Sequence, residues 1–203
     1  MSRSNQPLVL ITGFGLFEDR LFNPSRELAL RLQATPPVGV RTCAAELPVS
    51  FGGVAAAIDE VVDRLQNEGE RPDVLLGIGV QRDGSMRLEQ RARGHLAPSE
   101  RVDNDGAATG GVGLELGADR ATDFDLDRCA GVLRSAGAPW AVVSEDAGGY
   151  VCERTYHHLL GRAEGLGARA LFLHVPPASI VGIERQERCV RALVVELAAR
   201  ARR

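Results

Sequence analysis

Aromatic side chains are scarce in this chain: they make up 4% of its 203 residues, with a single Trp and two Tyr. A core of this size must therefore rest on Leu, Val, Ile and Ala. No apolar run approaches the roughly 20 residues of a membrane span, and the opening Met1 to Gln6 is polar with no apolar h-region. These absences lead to the expectation of no secretory signal, no membrane partner and a cytoplasmic location. There is no basic stripe. The net charge is -3 and the arginines are scattered, apart from the closing Arg200, Arg202 and Arg203, which read as a solvated helix end. Nucleic acid is therefore excluded as a partner. The four cysteines, Cys43, Cys129, Cys152 and Cys189, show no CxxC spacing. Zinc and thioredoxin motifs are unsupported, no metal or cofactor is expected, and free thiols in a reducing compartment follow.

What is present is an alternation of apolar runs and amphipathic stretches. Leu8 to Thr12 reads as a buried strand, and Asn23-Pro24-Ser25 opens a helix, since Pro in the first turn loses no needed N–H. Val38 to Leu47 is extended, while Val54, Ile58, Val61, Val62 and Leu65 fall at helical spacing. Asp73 to Gly79 is a second buried strand, with a short strand expected from Met86 to Arg91. Gly94 to Gly117 loses periodicity and reads as a long loop, on the surface or over a site. A helix near Asp125 to Ala136, a strand from Trp140 to Ser144, a helix opening at Tyr150 to Val151, a strand over Ala170 to His174 and a closing helix from Ile183 to Arg200 complete the pattern. The pattern predicts one α/β domain over residues 1–203. It has three layers, with an open twisted, mostly parallel sheet covered by helices on both faces.

Ligands in such sheets gather at the carboxyl ends of strands. Gly13-Phe14-Gly15, Gly79 onward, Ala147-Gly148-Gly149 and His174 fall at such ends. A dinucleotide site is disfavoured, because Glu18 and Arg82 stand where third glycines would be needed. Cys152 follows a glycine turn and falls in the first turn of a predicted helix, where the helix terminus favours a reactive thiolate. It can equally be a small buried core residue. His174 is either a satisfied core histidine or a general base for Cys152. Glu89, between Arg87 and Arg91, is either a salt-bridged carboxylate or the group that orients His174. His157 and His158 are expected to be solvated, and His95 carries no clear signal.

Several segments taken together resemble the pyroglutamyl peptidase I family of cysteine peptidases. They are Thr12-Gly13-Phe14-Gly15-Leu16-Phe17 with Asn23-Pro24-Ser25, Leu47 to Phe51, Pro72 to Gly79 leading to Glu89, Asp103-Asn104-Asp105-Gly106, Ala147-Gly148-Gly149-Tyr150-Val151-Cys152, and Phe172 to Pro176. They run in the family's order over nearly the whole chain. The resemblance implies a Cys152, His174 and Glu89 triad that removes an N-terminal pyroglutamyl residue from a blocked peptide through a thioester. It also implies Arg101 as oxyanion stabiliser, a ring pocket of Phe14, Phe17, Asn23 and Val151, Gln81 as a substrate-binding residue, and a homo-oligomer, often a tetramer.

The chain departs from the family at Gln90, where Arg is usual, at Glu153, where Asn follows the nucleophile, and at Glu18-Asp19, where glycines are usual. A carboxylate beside the thiol is expected to oppose thiolate formation. Two other readings therefore stand beside the first: another N-acyl or lactam amide specificity on the same triad, and a binding protein on the same fold.

Overall fold

A computed structural model describes residues 6–17, 21–138 and 140–201. Six strands form the central sheet: β1 (Leu8–Phe14), β2 (Arg41–Leu47), β3 (Val74–Val80), β4 (Met86–Glu89), β9 (Ala141–Ser144) and β10 (Arg169–Val175), in the order β2-β1-β3-β10-β4-β9. Every neighbouring pair is parallel except β10 with β4. Four strands therefore run one way, and β4 and β9 run back. Among the described residues five helices form: α1 (Pro24–Ala34), α2 (Val54–Asn67), α3 (Leu126–Ser135), α4 (Val151–Leu166) and α5 (Ile183–Arg200).

The buried strands explain the layering. Val9 and Ile11 of β1, Leu76 and Ile78 of β3, and Leu171 and Leu173 of β10 join one core cluster with residues of α1, α3 and α5. Their alternating neighbours Leu10, Leu75, Ala170 and Phe172 join a second cluster with residues of α2 and α4. A sheet buried on both faces needs apolar residues at every position, hence the continuous runs in place of alternation. On α2 the buried residues Val54, Ile58, Val61, Val62 and Leu65 form one stripe. α1 starts at Pro24 because the Asn23 side chain accepts the Ser25 N–H as an N-cap.

Two expectations change. The stretch from Gly94 to Gly117 is no featureless loop. It folds back on itself through β6 (His95–Leu96) paired with β7 (Leu114–Glu115) and a bridge between Ser99 and Gly110. Just outside it, β5 (Arg91–Ala92) pairs with β8 (Arg120–Ala121). Two-residue ladders carry no periodic signal, so the sequence could not show them. The DNDG segment fastens this arm to the body. Asp103 Oδ2 accepts the Phe51 N–H at 2.6 Å, and Asn104 donates to the Leu16 carbonyl at 2.9 Å. The second change concerns β9. Because it runs opposite to β10, its carboxyl end does not lie on the rim that carries His174.

Gly77 and Gly79 are sockets, not phosphate-cradling turns. They sit opposite Phe172 and His174 in the β3–β10 register. A Cβ at Gly77 would lie 2.4 Å from the Phe172 ring and 2.8 Å from Leu159. Phe172 and Leu159 are fully buried and have no room to retreat. Gly77→Ala is therefore expected to destabilise the protein by about 1–3 kcal/mol through overpacking. Urea unfolding should show a lower midpoint at unchanged slope.

Candidate active site

The carboxyl ends of β1, β3 and β10 meet along one rim, and Phe14, Gln81 and His174 stand there. They belong to a cleft of about 470 Å³, which Phe17, Asn23, Arg101, Val151 and Cys152 also line. Eight of the nine candidate residues thus share one wall. The ninth, Glu89, is fully buried behind His174.

The reversed strand β4 explains how Glu89 gets there. Arg87 lies opposite His174 and Glu89 opposite Phe172, so all four side chains emerge on the same face and Glu89 is diagonal to the imidazole. Glu89 Oε1 and His174 Nδ1 are 2.7 Å apart. Beside a carboxylate, Nδ1–H is the donor, which leaves Nε2 for another partner. Cys152 lines the same cleft as this ring and acts on its protonation. Burial alone would push His174 down. The hydrogen bonds to Cys152 and Glu89 and their negative charge outweigh it, and His174 is raised to about 9. A protonated imidazole between a thiol and a buried carboxylate is the arrangement of an activated cysteine nucleophile.

Helix α4 holds the thiol. Its N-cap is Tyr150, so Cys152 is its second residue, at the positive end of the dipole. One turn on, Tyr156 is fully buried and its hydroxyl donates to the Glu89 carbonyl at 2.8 Å. The helix that carries Cys152 is thereby tied to the strand that carries Glu89. Tyr156 packs on Phe172 and Phe172 on His174, with ring centroids 5.6 and 5.0 Å apart. The chain between β9 and α4 returns to the rim, where Asp146, Ala147 and Gly148 line the cleft.

The other walls are built locally. Asn23 donates to the Gly15 carbonyl at 2.8 Å and accepts from Ser25, whose hydroxyl accepts the Phe14 N–H at 3.0 Å. The Asn23 amide thus pins the backbone beside Phe14. The Gln81 amide donates to Asp83 and Ser85. The folded-back arm delivers Arg101, whose guanidinium carbon lies 4.0 Å above the Tyr150 ring centroid and 5.4 Å from that of Phe17. Stacking of this kind contributes about 0.5–2 kcal/mol and holds the cation at the cleft mouth. Tyr150 itself sits edge-on to Phe51 and donates to the Val102 carbonyl at 2.7 Å.

The departures look different in space. Gln90 is exposed just past the end of β4. Glu153 is buried and ion-paired to Arg93, not bare beside the thiol. Glu18 and Asp19 lie outside the described residues, as do Arg202 and Arg203. His157 is not solvated but buried, bonded to the Ala118 carbonyl at 2.8 Å. His158 is partly buried and pairs with Asp59 at 2.8 Å, and exposed His95 pairs with Glu115 at 2.7 Å. The sequence reading missed Tyr156, Arg93 and Asp146. Only Tyr156 left a trace, four residues after Cys152 on the same helix. Among the described residues no group of three His, Cys, Asp or Glu side chains is placed to hold a metal ion. No described helix is long and apolar enough to cross a membrane.

Known proteins resemble this chain over most of its length. A family model described as pyroglutamyl peptidase matches residues 8–203. A pyrrolidone-carboxylate peptidase of Gloeobacter violaceus is 34% identical over 83% of this chain and 80% of its own. Pyrrolidone-carboxylate peptidase 1 of Ralstonia nicotianae is 30% identical over 87% of this chain and 82% of its own. The crystal structure of pyrrolidone carboxyl peptidase from Fervidobacterium islandicum superposes with a TM-score of 0.80. It shares 27% identity, over 94% of this chain and 97% of that one.

Proposed function

Because the chain belongs to the pyroglutamyl peptidase family of cysteine peptidases, we propose that it removes an N-terminal pyroglutamyl residue from peptides with Cys152, His174 and Glu89 as its catalytic machinery. The observation that carries this reading is the buried hydrogen bond between Glu89 and His174, with His174 and Cys152 lining one aromatic-walled cleft. A neutral lactam suits such a cleft, where Phe14, Phe17 and Val151 supply apolar contact. Cys152 Sγ attacks the pyroglutamyl carbonyl. The resulting oxyanion is held by the Cys152 backbone N–H and the Arg101 guanidinium. His174 gives its proton to the leaving amine, and water then hydrolyses the thioester. Glu89 keeps the imidazole oriented and its charge balanced. The substrate is a blocked peptide, the location cytoplasmic and the assembly a homo-oligomer such as a tetramer, which sedimentation would test.

The test is release of the fluorophore from a pyroglutamyl amide, set against acetyl and unblocked glutamyl amides. Turnover of the first alone supports the reading. Turnover of another N-acyl amide with none of the pyroglutamyl amide replaces it with a different specificity. The proton on His174 also sets a pH limit. A group raised to about 9 is protonated below that pH and loses its proton above it. kcat/KM is therefore expected to hold through neutral pH and to fall as pH rises past about 9. A pH–rate profile from about 6 to 10.5 with no alkaline fall contradicts the role of His174.

A further inference from the structure

The residue after the nucleophile is a carboxylate, and its surroundings show how the chain tolerates one there. Glu153 is fully buried. Its Oε1 accepts the Arg93 backbone N–H at 2.8 Å, and its Oε2 accepts the Gly149 N–H at 3.0 Å. Oε2 also takes the Arg93 guanidinium, at 2.6 Å from Nη2 and 3.2 Å from Nε. The same Nη2 lies 2.5 Å from Asp146 Oδ1, which accepts the Gly148 N–H at 2.9 Å. One guanidinium therefore bridges two carboxylates, and each carboxylate grips one N–H of the Gly148-Gly149 turn. Both glycines have positive φ, 97° and 60°, a conformation that L side chains resist. Tyr150 makes no side-chain cap. Glu153, third in the helix, reaches back past the N-cap to hold the Gly149 N–H, so it fixes the turn that leads into the helix.

From this geometry we infer that Arg93 is a positioning residue of the reaction, whose guanidinium neutralises Glu153 and, through Glu153 and Asp146, fixes the turn that sets Cys152 in the cleft. The inference rests on the reading of Cys152 as nucleophile. The physical reason is the cost of a buried charge. With Arg93 removed, Glu153 keeps two N–H bonds but loses its counter-ion, and a buried unpaired carboxylate is strongly unfavourable. Its charge then bears on the neighbouring thiol and disfavours the thiolate. The other charged groups around the thiol are His174 with Glu89 behind it, Arg154 on the same helix and, on the cleft walls, Arg82, Asp83, Arg87, Arg101 and Asp146. None of them is shown in an ion pair with Glu153, so none replaces Arg93.

The experiment is iodoacetamide alkylation of Cys152 at neutral pH, followed by mass spectrometry of the full chain, together with kcat and KM on the pyroglutamyl amide. Arg93→Gln is expected to slow alkylation about tenfold and to lower kcat similarly, with KM changed less than about twofold. The double variant R93Q/E153Q is expected to recover the alkylation rate to within about threefold of the parent, because the unpaired charge is gone. A merely structural clamp predicts the reverse, since the double variant has lost more contacts. An R93Q rate equal to the parent's, or a double variant as slow as R93Q, overturns the inference. Should R93Q fail to fold, the double variant decides alone: a parent-like rate supports the inference and a tenfold slower one defeats it. The parent protein separates the two levels. If its Cys152 alkylates no faster than a free small-molecule thiol, the nucleophile reading itself falls.

Discussion

Cys152→Ala should reduce turnover of a pyroglutamyl amide to background, a fall on the order of 10⁴ to 10⁶. Nothing else among the described residues can take over the attack. Cys129 and Cys189 are buried in the core on the other face of the sheet. Burial pushes both thiols up, Cys129 to about 11, where a thiolate is unavailable at neutral pH. Cys43 is partly buried in β2 and is likewise raised by desolvation. The alanine variant should stay folded, with stability within about 1 kcal/mol of the parent, because Cys152 is only partly buried at the margin of its cluster. A second readout follows from the coupling. Burial lowers His174, and Cys152 is foremost among the groups that raise it against that burial. With the thiol gone, the imidazole should titrate well below the parent's value of about 9, measurable by NMR of its ring protons. Retention of more than about one per cent of parental activity would contradict Cys152 as nucleophile.

Glu89→Gln should cost on the order of 10³ to 10⁴ in kcat at a modest cost in stability at neutral pH, because the charged His174 loses its buried partner. Activity falls because the substituted amide can present an N–H to His174 Nδ1. The imidazole then prefers the tautomer whose Nε2 already carries its proton, and it can no longer take the thiol's. The stability cost is limited because Glu89 is fully buried and its Oε2 has no hydrogen-bond partner among the described residues. A neutral amide of equal shape carries a smaller desolvation cost at such a site. The pH dependence gives the sign. His174 has its folded value raised from 6.5 to about 9, so the stability it contributes is complete below about 6.5 and is lost as pH rises through about 9. In the E89Q variant that window should narrow from its upper end, and the alkaline limb of activity should move down with it. An inactive variant that also unfolds at much lower denaturant would point to a structural role instead.

The apolar runs and glycine or proline punctuation were enough to place α1, α2, α3, α4 and α5 and the strands β1, β3 and β10. Long elements buried on one or two faces leave a periodic trace in sequence. The start of α4 just before Cys152 was legible because a glycine turn precedes an amphipathic stretch. The order and direction of strands were not legible, since strand pairing leaves no local mark. For that reason the reversal of β4, which aims Glu89 at His174, had no counterpart in the linear chain. The same holds for Arg93, 60 residues from its partner Glu153, and for Gly77 and Gly79, whose purpose is set by rings on β10.

The sequence by itself determined the class of fold and the residue types of the site: a thiol after a glycine turn, a histidine ending an apolar strand, and an acid between two arginines. It also determined the order of segments by which the chain resembles its family. Only the tertiary structure decided how those groups meet. It turned a carboxylate that seemed hostile to the Cys152 thiol into an ion-paired anchor of the glycine turn, it left Gln90 exposed, and it made Tyr156 the tie between the helix of Cys152 and the strand of Glu89. The reason is that charge and hydrogen-bond energies depend on distance and burial, and in this chain both are set by contacts between residues far apart in sequence.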